Sequence, residues 1–191
     1  MVIKVGVLVF VVLIGVDQIA ASCPTIISRS QWGASAAKSK TNLSRNPPPY
    51  VVIHHSETPP CPVTEKCKQR VKNIQYDHIN NRGWSDIGYN FLIGGDGNVY
   101  EGRGWGLQGS HCPNYNSRSI GICLIGDFQN HLPSAGQLEA LKNLIDCGVQ
   151  NNKISSSYKL IGHRQGRQTK CPGDALYEEV TKMPHWEAHP N

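Results

Sequence analysis

After residue 22 the sequence has no apolar run long enough to cross a bilayer, so membrane insertion is not expected of the mature chain. It has no Lys/Arg run dense enough to suggest nucleic-acid binding. Its formal net charge of +5 reads as ordinary solubility and is compatible with an anionic bacterial wall. It has no internal repeat and no low-complexity linker, which leaves one domain as the simplest organisation. The segment "GGDG" offers too few oxygens for a calcium loop. The cysteines also lack an even count. There are seven, Cys23, Cys61, Cys67, Cys112, Cys123, Cys147 and Cys171, so full pairing leaves one thiol over.

The first residues say why pairing is expected. Lys4 precedes the apolar run "VGVLVFVVLIGV", and small residues follow in "AAS" before Cys23. This is the pattern of a signal peptide over 1–22, cleaved after Ala21 or Ser22, and it predicts a secreted, extracellular chain. The remaining 23–191, about 170 residues, suffice for one domain with a real core.

Periodicity predicts a mixed α/β fold. "YVVIHHS" is a β-rich run ending in His54 and His55, and "SIGICLIGDF" is an apolar strand buried on both faces. "YNFLIGGDGNVYEGR" reads as a hairpin turning at Gly94 to Gly97. Residues 64–81 place Cys67, Val71, Ile74, His78 and Ile79 at helical spacing. Ser134 and Gln137 form a capping box ahead of a second helix. "YKLIGH" is a short strand ending at His163, and "GDALYEEVTKM" a last helix.

The chemistry concentrates at strand ends. Alternation sends His54 and His55 to opposite faces, and each taken alone is more often a packed histidine than a ligand. His163 ends a strand, with Cys171 beyond a polar loop in "GHRQGRQTKCPG". Two histidines and a thiolate make a zinc site with an open fourth position, the catalytic pattern. A Cys-His nucleophile site is the competing reading, although no recognisable nucleophile signature accompanies it.

The elements "VVIHHS", "GWSDIGYNFLIGGDGNVYEGRGW", "GSHCPNYNSRSIGICLIGDF" and "GHRQGRQTKCPG" occur in order at compatible spacing. Together they closely resemble the peptidoglycan recognition protein family, related to phage and bacterial zinc amidases, and in particular its short secreted catalytic members from insects. The resemblance runs from about Ser28 to Trp186. It implies a central, mainly parallel β-sheet flanked by about three helices, with a groove over a zinc site. It implies His54, His163 and Cys171 as zinc ligands, which would make Cys171 the unpaired thiol. The activity implied is that of an N-acetylmuramoyl-L-alanine amidase acting in innate immunity. Zinc lowers the pKa of a bound water to about 7 and polarises the scissile carbonyl. The alternative is a non-catalytic soluble sensor signalling through a partner. Sensing members commonly lack the cysteine found here at 171.

By the same resemblance Tyr89 is the catalytic tyrosine, although a strand tyrosine is ordinarily half-buried core. Thr169 supports the metal. His78, Gly83, Trp84, His111 and Asn116 line the peptide groove, while His55 is either groove wall or a packed histidine. Disulfides Cys61–Cys67 and Cys23–Cys147 are implied, leaving Cys112 with Cys123. Gly83-Trp84 ahead of "DIGY" accompanies peptidoglycan of the diaminopimelate type, since glycine leaves room for the extra carboxylate. Strong diaminopimelate binders often carry an arginine immediately after the residue matching Asn116, whereas this chain has Ser117 and then Arg118. The expected preference is modest, ~1–2 kcal/mol, with the lysine type also cleaved. A monomer is expected. "NLS" makes Asn42 a candidate N-glycosylation site.

Overall fold

The computed structural model describes residues 23–190, so the expected signal peptide at 1–22 lies outside the described residues. In chain order the elements are β1 (Ile26–Ile27), α1 (Arg29–Trp32), β2 (Tyr50–His55), α2 (Thr64–Tyr76), a π-helical turn (Asp77–Asn81), β3 (Phe91–Ile93) and β4 (Val99–Glu101). β5 (Ser119–Leu124), α3 (Ala135–Gln150), β6 (Lys159–Gly162), α4 (His163–Gly166) and α5 (Asp174–Thr181) complete the chain. The strands form one six-stranded sheet in the order β1-β4-β3-β5-β2-β6. Every pairing is parallel except the β3–β4 hairpin, so the mainly parallel α/β sheet with three substantial helices is the one the family resemblance implies. Among the described residues no helix is long and apolar enough to cross a membrane.

The central strands β2 and β5 are buried along their whole length because both faces are covered. On one face Val51, Ile53, Ile120, Ile122 and Leu124 pack against Leu141, Leu144 and Ile145 of α3 and Leu176 and Val180 of α5. On the other, Leu92, Tyr100 and Cys123 meet Trp32 of α1 and Val71 and Ile74 of α2. The α3 capping box forms: Gln137 N–H donates to Ser134 Oγ and Ser134 N–H to Gln137 Oε1. The Gln137 amide also donates to the Ile93 and Ile125 carbonyls, which ties the helix start to the ends of β3 and β5.

Two expectations change. The helical pattern at 64–81 is α-helical only to Tyr76 and then widens into the π-helical turn that carries His78. Such widened turns recur at functional sites because they re-aim side chains without ending the helix. The Cys112–Cys123 disulfide is absent. Cys23–Cys147 and Cys61–Cys67 are bridged, while Cys112, Cys123 and Cys171 are free and buried. Cys112 packs with Tyr50, Val52, Tyr115 and Ile161, whereas Cys123 belongs to the apolar layer under α2. The two thiols serve separate parts of the core, so three thiols are free instead of the one implied by full pairing.

Candidate metal centre

Parallel pairing brings strand ends together, and the site is built from that fact. β6 lies beside β2 in register from Tyr50–Lys159 to Ile53–Gly162, so His54 and His163 leave the same edge of the sheet as neighbours. The rings of His54 and His163 lie 4.3 Å apart, centroid to centroid. The loop after α4 returns Cys171 to this point, where the His55 N–H donates to its Sγ at 3.4 Å. His54 Nδ1 is 3.7 Å from the same sulfur. One ligand atom from each of His54, His163 and Cys171 falls within 4.8 Å of the others.

Burial sets the electrostatics. His54 is held well below the usual histidine range, first by desolvation and then by His163 and His111. Burial, then Arg167, brings His163 down to about 4, so both rings are neutral at physiological pH and offer lone pairs. Both ring nitrogens of His163 are buried without a hydrogen-bond partner, which an ordinary packed histidine would not tolerate. Burial pushes the Cys171 thiol up to about 12 despite the His55 amide. That is the reverse of an activated nucleophile, whose thiol pKa is lowered, and it disfavours the Cys-His nucleophile reading. A divalent cation would satisfy all three groups together, and two imidazoles with one thiolate suit zinc.

His163 and Cys171 border a groove of about 570 Å3. Its walls include His78, Trp84, Tyr89, His111, Asn116 and Thr169. The His78 ring lies 4.6 Å from Trp84 and 5.6 Å from Tyr89, and its Nδ1 accepts the Gly88 N–H. Tyr89 precedes β3 instead of lying within a strand, and Asn90 pins that segment to β5 through paired bonds with Gly121. Burial, then Cys123 and Cys171, pushes the Tyr89 phenol well above its ordinary value, so it stays a donor. Thr169 Oγ1 accepts the Cys171 N–H at 3.2 Å, and Asn116 Oδ1 accepts the amides of His111 and Cys112.

Other expected site residues take different places. His55 also borders the groove, but its ring is 1% exposed and its Nδ1 accepts the Phe128 N–H, so the side chain itself is packed. Trp84 lines the groove, but Gly83 does not: it adopts φ +72°, and a Cβ there would meet nothing within 4 Å. Arg118 is stacked over Tyr50 and Tyr115, and Asn42 is exposed in a short bridge with Leu107. Two contacts had no signal in the sequence. One is His54 Nε2 to His111 Nδ1 at 3.0 Å, and the other is the proximity of Cys123 to the Tyr89 phenol, whose pKa it helps to raise.

Residues 44–174 match the family described as N-acetylmuramoyl-L-alanine amidase. Peptidoglycan-recognition protein 2 of Holotrichia diomphalia is 45% identical over 177 residues, covering 93% of this chain and 94% of its own. The chain belongs to the peptidoglycan recognition protein family. Among solved structures of that family, wild-type Drosophila PGRP-LB superposes with a TM-score of 0.85 at 47% identity, covering 88% of this chain and 98% of its own. Peptidoglycan recognition protein LE, solved in complex with tracheal cytotoxin, a monomeric diaminopimelic acid-type peptidoglycan, gives 0.83 at 43%, covering 85% and 95%. The residues of the candidate metal centre thus sit on a fold that this family shares over nearly its whole length.

Proposed function

We propose that the protein is a secreted zinc-dependent N-acetylmuramoyl-L-alanine amidase. It binds bacterial peptidoglycan in innate immunity and hydrolyses the amide joining the lactyl group to L-Ala. The observation that carries this reading is the convergence of His54, His163 and Cys171 at an open groove, with both nitrogens of His163 left without partners. When bound, zinc supplies a Lewis acid that polarises the scissile carbonyl and lowers the pKa of water.

The chain's own groups do the rest. The His55 amide donates to Cys171 Sγ and favours the thiolate that a cation requires. Thr169 holds the Cys171 amide and with it the sulfur's position. Tyr89, protonated at neutral pH, presents a donor to the oxyanion that develops as the amide is attacked. Trp84, His78 and Asn116 flank the stem peptide along the groove.

The substrate is peptidoglycan of the diaminopimelate type, with the lysine type cleaved more slowly. Complexes with tracheal cytotoxin among the structural relatives support this, as does Trp84 beside the groove. Stacking of Arg118 on two tyrosines leaves it turned to that task instead of the substrate carboxylate, which argues for a modest preference. Residues 1–22 act as the signal peptide and 23–191 as the single secreted, monomeric domain. Asn42 carries the N-glycan in its exposed loop.

The second reading is a sensor that holds peptidoglycan without cutting it. Stem-peptide release from purified peptidoglycan separates the two. Zinc-loaded wild type should release peptide, and a chelated sample and Cys171→Ser should not. Retention on peptidoglycan with no release by the zinc-loaded protein would leave the sensor.

A further inference from the structure

His111 borders the groove, but its ring is committed elsewhere. It stands edge-on to His54, with His54 Nε2 3.0 Å from His111 Nδ1. Its other nitrogen, Nε2, lies 3.4 Å from the hydroxyl of the fully buried Ser119. That hydroxyl is 2.7 Å from the Tyr115 carbonyl.

These contacts have a direction. A carbonyl oxygen can only accept, so the Ser119 proton goes to Tyr115 and its oxygen is left to accept from His111 Nε2–H. The proton of the neutral His111 ring is then on Nε2, and Nδ1 is bare. A bare Nδ1 accepts from His54 Nε2–H, which leaves His54 Nδ1 without a proton. That nitrogen is the one beside Cys171 Sγ.

The ring cannot easily turn away from this role. A Cβ at Gly109 would come within 2.3 Å of His111 Cδ2, and one at Gly121 within 2.4 Å, so two glycines form the slot that holds it. Asn116 fixes the backbone by accepting the His111 and Cys112 amides.

We propose that His111 is a positioning residue for the metal. In this role a fixed chain from the Tyr115 carbonyl through Ser119 and His111 selects the His54 tautomer that presents Nδ1 to the ion. The proposal rests on the metal-centre reading above and adds a device to it. Such outer partners orient ligating imidazoles and raise their basicity, and their loss typically weakens metal binding by about 10- to 100-fold.

The test is zinc affinity, read by competition with a chromophoric chelator, independent of turnover. His111→Ala should bind zinc about 10- to 100-fold more weakly than wild type. His111→Asn, whose carbonyl oxygen can stand where Nδ1 stood, should recover part of that loss. His111→Ala binding as tightly as wild type would overturn the proposal. Long-range proton–nitrogen correlation spectra of 15N-labelled wild type give an independent reading without a variant. The ring proton should be on Nε2 of both His54 and His111, and a proton on Nδ1 of either would refute the chain of tautomers. Weakened zinc binding by His111→Ala in a protein that releases no stem peptide would support this role while removing the amidase reading.

Discussion

Replacing Gly121 by alanine adds a methyl group where the His111 ring already lies. The new Cβ would sit 2.4 Å from His111 Cδ2 and 2.6 Å from Cγ and Nε2. Gly121 is in β5, paired with β2 on one side and facing the Asn90 segment on the other, so the strand has little room to retreat. The ring must leave its slot instead. Overpacking of this kind costs about 1–3 kcal/mol. The His54 Nε2–H then loses its acceptor in a site that is 1% exposed, at about 1–3 kcal/mol more. Together these predict a loss of roughly 2–6 kcal/mol, a large share of the usual 5–15 kcal/mol of a folded domain. Denaturant unfolding of disulfide-intact, zinc-free protein measures it, with zinc affinity as the second readout. Gly136→Ala is the control, because its Cβ would meet nothing closer than 3.8 Å within α3, and it should be neutral or slightly stabilising. A Gly121→Ala protein within about 0.5 kcal/mol of wild type, the ordinary scatter of surface substitutions, would refute the argument.

Other consequences are more local. Removing Cys23–Cys147, which spans 124 residues, should cost about 5 kcal/mol on chain-entropy grounds, and removing Cys61–Cys67, which spans 6, only about 2 kcal/mol. Equal losses by denaturation would contradict that ordering. Burial holds His78 at about 4 and His111 at about 3, so both stay neutral in the fold while the unfolded chain protonates below about 6.5. Stability should therefore be full above pH 6.5 and fall on acidification, by about 1.4 kcal/mol per pH unit for each ring until its folded value is reached. A denaturation midpoint of the zinc-free protein that stays flat between pH 7 and 5 would contradict this. Tyr89→Phe should lower kcat by about 100- to 1,000-fold with zinc affinity intact, and unchanged turnover would remove the phenol from the chemistry.

How far the residues could be read depended on how local each feature is. The unbroken apolar runs of β2 and β5 mark strands covered on both faces, and Ser134 with Gln137 marks the start of α3, because these depend on neighbours in sequence. Alternation says that His54 and His55 diverge but not which one turns toward His163 and Cys171. That depends on the layer Val52 shares, and so on tertiary packing. Contact between His54 and His111, 57 residues apart, follows from lateral packing across β5 and has no periodic signature. Cys112 and Cys123 could be paired only by counting, and counting fails where buried thiols simply fill apolar space. The π-helical turn at His78 is equally hidden, since its residues keep helical spacing closely enough to look continuous.

The chemistry of the products tests the central claim most directly. Zinc-loaded protein incubated with diaminopimelate-type peptidoglycan should generate stem peptides with a new free L-Ala amine, and glycan whose lactyl side groups carry free carboxylates. Mass spectrometry should find both products, lose them on chelation and recover them when zinc is restored. A protein that binds zinc and holds peptidoglycan yet yields no free L-Ala amine would contradict the assignment of His54, His163 and Cys171 to an amidase.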